Sequence, residues 1–394
     1  MITTYMTFFD ASKNSNKFWE VTNNGNINTY HWGRVGDKGQ TKTENFYDKW
    51  EAINKMEKKI REKLNKGYTK KDIVQQDLTT TDAISTTLSD KVANFVKDIY
   101  AVTSKAVANY AGEDVNTLAG KLSLDGINKG RKLLQNIADA IKNNDTYDVK
   151  YYSNLYFKAI PHKLSRKISD NEWVITTEER INDELDILQL YEDALQHLTK
   201  KTVNVDEMYD NMKCEVRDVT ADELAYVENK IKTSHASNHH YTLKVLNAFK
   251  VEQKNAPDYD ANRGHDTMLF HGTRAENVLG ILSTNLKLPN TIKGVVKTGA
   301  MFGPGLYFAN NCTKSANYSF GYWSGSNFNK AYLFICKVAL GNVKEVTAPT
   351  YYYNAPAGYD SVMGKKGAYL YNNEFIVYNE NQVKIEYIVE VEKH

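Results

Sequence analysis

The apolar residues of this 394-residue chain change their period twice, and that succession constrains the fold more than any single motif. Up to about Asp72, β-like stretches at residues 3–9, 17–22 and 27–34 alternate with Asn- and Gly-rich turns. A helical period follows at residues 46–64, with Trp50, Ile53, Met56, Ile60 and Leu64 on one face and Lys55, Lys58, Lys59 and Arg61 mostly elsewhere. Residues 1–75 therefore predict a small β-sheet with one packed helix. Beyond the polar, Thr-rich residues 75–81, residues 82–202 repeat apolar positions every three or four residues. The pattern appears first in Leu88, Val92, Phe95, Val96 and Ile99, then in residues 127–141 and 185–198. That spacing predicts an all-α helical bundle. Residues 203–394 turn rich in Tyr, Gly and β-branched residues, with strand-like runs at 268–270, 332–339 and 375–378, predicting an α+β domain with a mainly antiparallel sheet. The expected class is α+β multidomain.

Charge narrows the partners only when it is read locally. Fifty Lys and Arg face 48 Asp and Glu, a formal +2 that by itself points to neither a nucleic acid nor a membrane. Residues 1–72, however, hold 14 basic against 9 acidic side chains, while the remainder is net acidic. Cys214, Cys312 and Cys336 are too far apart for paired zinc ligands and too few for a disulfide framework, so no metal is expected. The opening MITTYMTFFDASKN lacks the apolar centre of a signal peptide, and no apolar run approaches membrane-spanning length. An intracellular protein without a membrane partner is the expectation.

Three separated blocks near the end carry the chemistry. Leu269-Phe270-His271-Gly272-Thr273-Arg274 puts a short apolar strand before a His-Gly pair, where a glycine lets a ligand approach the main chain. Met301-Phe302-Gly303-Pro304-Gly305-Leu306-Tyr307-Phe308-Ala309 is followed by Lys314-Ser315-Ala316-Asn317-Tyr318. Finally, Asn373-Glu374-Phe375-Ile376-Val377-Tyr378 has a carboxylate heading an apolar strand, and a charge in such a place needs a reason. Each block alone has an ordinary reading: a histidine after a strand is commonly structural, most of 27 tyrosines pack in cores, and Gly303-Pro304-Gly305 lacks the strand-to-helix setting of a dinucleotide fingerprint.

Together and in this order the blocks resemble the catalytic domain of the poly(ADP-ribose) polymerases, whose His-Tyr-Glu signature would be His271, Tyr307 and Glu374. The resemblance extends back through Leu118-Ala119-Gly120-Lys121-Leu122-Ser123 and Ala159-Ile160-Pro161-His162, which look like the family's helical regulatory domain. Trp32-Gly33-Arg34-Val35-Gly36 looks like the core of its WGR domain. The implied order is a WGR-like DNA-binding domain at 1–75, a helical regulatory domain at 82–202 and a catalytic ADP-ribosyltransferase domain at 203–394. The implied activity is transfer of ADP-ribose from NAD, as substrate, to protein acceptors including the chain itself.

The resemblance assigns roles residue by residue. Glu374 would supply negative charge and polarise a hydroxyl, His271 would hold a hydroxyl of the adenine ribose, and Gly272 would offer its backbone to the nicotinamide carboxamide. Ser315 would bind the same amide, Tyr307 and Tyr318 would flank the nicotinamide ring, and Lys314 and Asn277 match positions near the donor site. Thr273 keeps a hydroxyl where serine is usual. Between Gly364 and Tyr371 only Lys-Lys-Gly-Ala-Tyr-Leu intervenes, far shorter than the acceptor loop of long-chain polymerases, whereas the retained Glu374 favours elongation. A mono-ADP-ribosyltransferase, an NAD glycohydrolase and a catalytically silent DNA-binding scaffold stay open as alternatives.

For the N-terminal domain the resemblance implies binding to DNA ends or nicks and a place in the DNA damage response and DNA repair. Trp32 and Arg34 alternate onto one strand face, with His31 on the other; an indole packing on a terminal sugar or base beside an arginine reaching phosphate suits that task. The other reading of Trp32 is a core residue. The helical region, with Asp183 and Asp186 one turn apart, would restrain NAD entry until DNA loosens it. A monomer is expected, placed in the nucleus of a eukaryote or beside the chromosome in a bacterial cytoplasm.

Overall fold

The computed structural model describes residues 2–10, 13–71, 86–112, 122–165, 167–198, 204–289, 300–321 and 329–394. The Thr-rich stretch 75–81 and positions 118–121 of the regulatory-like motif lie outside the described residues. Contacts divide the chain into two compact units, with described residues 2–71 and 104–198 in one and 86–103, 204–289, 300–321 and 329–394 in the other.

The first unit opens with five antiparallel strands, β1 (Ile2–Asp10), β2 (Ser15–Asn24), β3 (Ile27–Arg34), β4 (Gln40–Asn45) and β5 (Thr69–Lys71), in spatial order β4-β3-β2-β1-β5. Helix α1 (Lys49–Asn65) starts at Asp48, whose side chain accepts the Glu51 N–H. It packs on β2 and β3 through Met56 against Trp19, Val21 and Tyr30. The anticipated apolar face holds at Met56 and Ile60 and is corrected at its ends. Trp50 is 73% exposed and Leu64 45% exposed, whereas Ala52 and Met56 are buried. The stripe is rotated because Ala52 gives close approach to β3, where Asn28 Nδ2 donates to its carbonyl at 2.7 Å. Beside Met56 and Ile60, the Lys63 ammonium lies 5.4 and 4.8 Å from the ring centroids of Trp19 and Tyr68.

The same unit continues with the later turns of α2 (Asp90–Ala111), then α3 (Leu124–Lys142), α4 (Thr146–Ala159), the single turn α5 (Asp170–Trp173) and α6 (Glu178–His197). Ser123, Asp145 and Thr177 cap α3, α4 and α6, each accepting a first-turn N–H. Leu134, Ile137, Tyr156, Phe157, Leu185 and Leu188 build the core between these helices. Within it Glu184 is fully buried, accepting from Tyr156 Oη at 2.9 Å, lying 2.7 Å from His162 Nε2 and 2.7 Å from Arg180. Burial pushes its carboxyl up, but the His162 charge and hydrogen bond, Arg180 and the Tyr156 hydroxyl outweigh this and hold it below the usual carboxylate range. Asp183 and Asp186 lie on the exposed side of α6.

In the second unit the first turns of α2 bring Phe95 onto Phe249, centroids 4.8 Å apart. The unit then runs through α7 (Val205–Asn211), β6 (Cys214–Asp218), α8 (Ala221–Thr233), β7 (Leu243–Gln253), β8 (Asp266–Gly272), α9 (Val278–Thr284), β9 (Leu306–Phe308) and α10 (Cys312–Ser319). β10 (Lys330–Ala339), β11 (Val343–Val346), β12 (Ser361–Gly364), β13 (Glu374–Val377) and β14 (Val383–Lys393) complete it. One sheet has the order β6-β7-β14-β10-β8 and the other β11-β12-β13-β9. All described pairings are antiparallel except β11 with β12, so the expected α+β class with a mainly antiparallel sheet holds. A two-hydrogen-bond bridge between Phe270 and Ala309 joins the sheets where β8 meets the end of β9.

Candidate active site

The three carboxy-terminal motifs meet at that junction. His271 is near the end of β8, Tyr307 is the centre of β9, and Glu374 opens β13, whose Phe375 and Ile376 pair with Phe308 and Tyr307. His271 Nδ1 donates to the Tyr307 carbonyl at 2.9 Å, so a neutral ring leaves Nε2 as an acceptor. Burial pushes the His271 pKa down and the Tyr307 carbonyl only partly offsets this, which favours that neutral form.

Tyr307 is fixed by main chain at its hydroxyl, which donates to Gly303 O at 2.8 Å and accepts from the Phe302 N–H at 3.0 Å. Its ring is therefore a wall rather than a proton source, and burial pushes its pKa up. Tyr318, on α10, keeps 46% of its surface exposed; burial and then the Glu374 charge raise its pKa to about 12.

Glu374 is 8% exposed and forms an ion pair with Lys314 Nζ at 2.8 Å. The Lys314 ammonium also donates to the Asn372 and Asn373 carbonyls at 3.0 and 3.2 Å. Burial lowers the Lys314 pKa, against the raising effect of Glu374. Three acceptors around one ammonium leave the carboxylate orientation little freedom. The two carbonyls had no sequence signal, because every residue type carries one.

Gly272 explains itself sterically. A Cβ built there would stand 1.8 Å from Ser315 O, so β8 and α10 touch main chain to main chain. Ser315 Oγ donates to Phe270 O at 3.0 Å, which leaves its lone pairs to accept from a ligand. Thr273 N–H donates to Ser319 Oγ at 3.2 Å, and Asn277 Nδ2 to Thr273 Oγ1 at 2.9 Å, so those two support the β8–α10 contact. Every anticipated donor-site residue thus lies on β8, the turn after it, β9, α10 or β13. Among the described residues no cluster of three or more metal-ligating side chains occurs, and no helix is long and apolar enough to cross a membrane.

The anticipated DNA-binding pair is less exposed than an open reader would be. Trp32 is partly buried against the Met6, Trp19 and Met56 cluster, on the core face of β3. Arg34 donates to the carbonyls of Asn14 and Ser165. Gly33 is required between them, since its Cβ would lie 2.8 Å from the Gly39 Cα. His31, on the opposite face, meets Phe18 edge-on at 4.7 Å and holds Lys38 O at 2.9 Å.

Comparison with known proteins places three family models along the chain in order. The WGR domain matches residues 2–75, the regulatory domain of poly(ADP-ribose) polymerase residues 86–211, and the poly(ADP-ribose) polymerase catalytic domain residues 221–370. Poly [ADP-ribose] polymerase 2 of Arabidopsis thaliana is 28% identical over 461 residues, covering 96% of this chain and 71% of that protein. Poly [ADP-ribose] polymerase 2 of Homo sapiens is 25% identical over 92% of this chain and 73% of its own length. Protein mono-ADP-ribosyltransferase PARP4 of Homo sapiens is 27% identical over 77% of this chain but only 18% of its own.

Proposed function

Since the chain belongs to the poly(ADP-ribose) polymerase family and is an NAD-dependent ADP-ribosyltransferase, we propose that it modifies proteins, itself included, when its N-terminal domain engages broken DNA. The carrying observation is the Lys314–Glu374 pair at 2.8 Å in a site walled by Tyr307 and Tyr318.

Nicotinamide leaves NAD as a neutral molecule from a cationic linkage, so the step needs little general acid. What it needs is a fixed negative charge near the ribose as that ring becomes oxocarbenium-like. In our reading Glu374 is that charge and also polarises the ribose or acceptor hydroxyl, while Lys314 keeps its carboxylate turned inward. Tyr307 and Tyr318 flank the nicotinamide ring, whose electron-poor face suits aromatic neighbours. Ser315 Oγ, having given its hydrogen to Phe270 O, accepts from the carboxamide NH2, and the Gly272 main chain takes the other side of that amide. His271 Nε2 accepts a hydroxyl of the adenine ribose. Thr273 and Asn277 hold the β8–α10 contact from below.

At least one transfer per acceptor is expected, with some chain elongation supported by the retained Glu374. Trp32 and Arg34 remain our candidates for the DNA contact, supported by the basic excess of residues 1–72. Because Arg34 already donates to Ser165 O, a phosphate would have to share or displace that bond, which would link DNA contact to the helical part of the same unit. The domain limits 1–75, 82–202 and 203–394 are likewise our reading, supported by a WGR match that ends at 75 and a catalytic match that begins at 221.

The test uses purified full chain, labelled NAD and a nicked or blunt oligonucleotide. Labelled protein and a several-fold rise in nicotinamide release with broken DNA are expected, and Glu374→Gln should abolish labelling. Equal rates with and without DNA reject the stimulation, and a fully active Glu374→Gln rejects the site. Product length on a gel separates polymer from single units.

A further inference from the structure

The donor-site helix α10 is only eight residues long, too short to hold its place by its own hydrogen bonds. Residues 234–241, which follow α8, fasten its back. Cys312 N–H donates to Ser234 O at 2.9 Å and Ala236 N–H to Thr313 Oγ1 at 2.9 Å. The Tyr241 hydroxyl lies 2.9 Å from Thr313 O and 2.6 Å from Asn317 Oδ1, reaching two successive turns. His239 Nδ1 sits 2.8 Å from Thr313 Oγ1, and its ring lies parallel to that of Tyr241, with centroids 6.0 Å apart and 2° between planes. The Lys393 ammonium is 5.7 Å from the Tyr241 ring centroid. Thr313 itself is fully buried, and the next residue is Lys314, the partner of Glu374.

The hydroxyl of Thr313 has one hydrogen and two lone pairs. The Ala236 amide takes a lone pair, and a neutral His239 protonated at Nε2 accepts the hydrogen at Nδ1. A protonated His239 turns Nδ1 into a donor, strands that buried hydroxyl hydrogen, and adds a positive charge beside Lys314. The titratable or charged groups acting on His239 are Lys314 on α10 and His240 in its own segment. Burial first, then these two, push its pKa below the usual histidine value.

We propose that His239 and Tyr241 are positioning residues of the transferase, holding α10 so that Lys314, Ser315 and Tyr318 keep their places. Protonation of His239 weakens that hold and contributes the acid limb of NAD turnover. This rests on α10 being the donor-binding helix, and the test separates the two. Nicotinamide release by the full chain is measured against NAD concentration between pH 5 and pH 9 for wild type, Tyr241→Phe, His239→Gln and Glu374→Gln.

Loss of the bridging hydroxyl in Tyr241→Phe should raise KM for NAD about tenfold, the worth of one buried hydrogen bond, with a smaller change in kcat. His239→Gln keeps a polar group near Thr313 and should stay near wild type at pH 8. It should lose the acid-side fall in kcat/KM expected of wild type below the usual histidine range, a change of profile shape that a merely structural residue would not cause. An unchanged KM in Tyr241→Phe, or an identical acid limb in His239→Gln, overturns the proposal. Should circular dichroism show Tyr241→Phe unfolded, the His239→Gln profile decides alone. An inactive Glu374→Gln alongside wild-type behaviour of the other two removes the clamp and leaves the site; an active Glu374→Gln removes the site.

Discussion

Gly272→Ala is the smallest change that should damage the donor site without touching a polar group. The added Cβ would stand 1.8 Å from Ser315 O and 2.6 Å from Ser315 C, both main-chain atoms of a helix fastened on its other side. Non-bonded heavy atoms rest about 3.5 Å apart, so β8 and α10 must separate by roughly 1.7 Å. No side chain can rotate away to absorb that. The cost should therefore reach or exceed the top of the overpacking range, about 3 kcal/mol. For a unit of this size that corresponds to a fall in melting temperature of about 6–12 °C. The displacement also carries Ser315 and Lys314 away from His271, and a misplacement of about 1 Å costs on the order of a hundredfold in turnover. Differential scanning fluorimetry and nicotinamide release read the two effects. Gly367→Ala is the control, since a Cβ added there meets nothing closer than Lys365 O at 3.9 Å, and it should melt as wild type. Wild-type melting and turnover in Gly272→Ala would refute the close approach and, with it, the account of why glycine occupies this position.

Lys314→Met should leave Glu374 without its counter-charge in a largely buried place and destabilise the second unit by about 3 kcal/mol. Adding Glu374→Gln should cost less than the sum of the two single changes, a coupling that a double-mutant cycle in urea detects. In the first unit the carboxyl of Glu184 is held below its ordinary value of 4.5, so its stabilising share is complete above that pH and is lost as pH falls through the lower folded value. Glu184→Gln should be about 3 kcal/mol less stable at pH 7 and show a flatter loss of stability in acid, read by thermal melts from pH 3 to pH 7. Trp50→Ala should cost under about 0.5 kcal/mol and Met56→Ala about 2–4 kcal/mol, the reverse of what the sequence period implies for Trp50.

Secondary structure was legible where the residues themselves enforce it. The strand expected at residues 27–34 is β3, and those expected at 3–9 and 17–22 fall within the longer β1 and β2. The run 127–141 lies inside α3, whose Ser123 cap precedes a strong apolar stripe. Helix α1 was found, and Met56 on its anticipated face is buried with Ile60 packed beside it, but Trp50 and Leu64 at the ends of that face are exposed. Which side of an amphipathic helix is covered depends on what the neighbouring strands present, here Tyr30, Trp19 and the Asn28 amide reaching Ala52 O. Trp32 illustrates the same limit, because strand alternation assigns it a face but not what that face meets.

In the candidate site, His271, Tyr307 and Glu374 were singled out by the resemblance of three ordered blocks to the family's catalytic domain, not by period or composition. Their arrangement was not contained in the order. It follows from β9 pairing with β13 and from the Phe270–Ala309 bridge, contacts between segments far apart in the chain. The ammonium of Lys314 turned toward Glu374, the hydroxyl of Ser315 committed to Phe270 O, and the grip of Tyr241 on α10 depend on side-chain directions set by those pairings. Period and composition act over a few residues. A site assembled from five separate segments exists only once long-range pairing has brought them together.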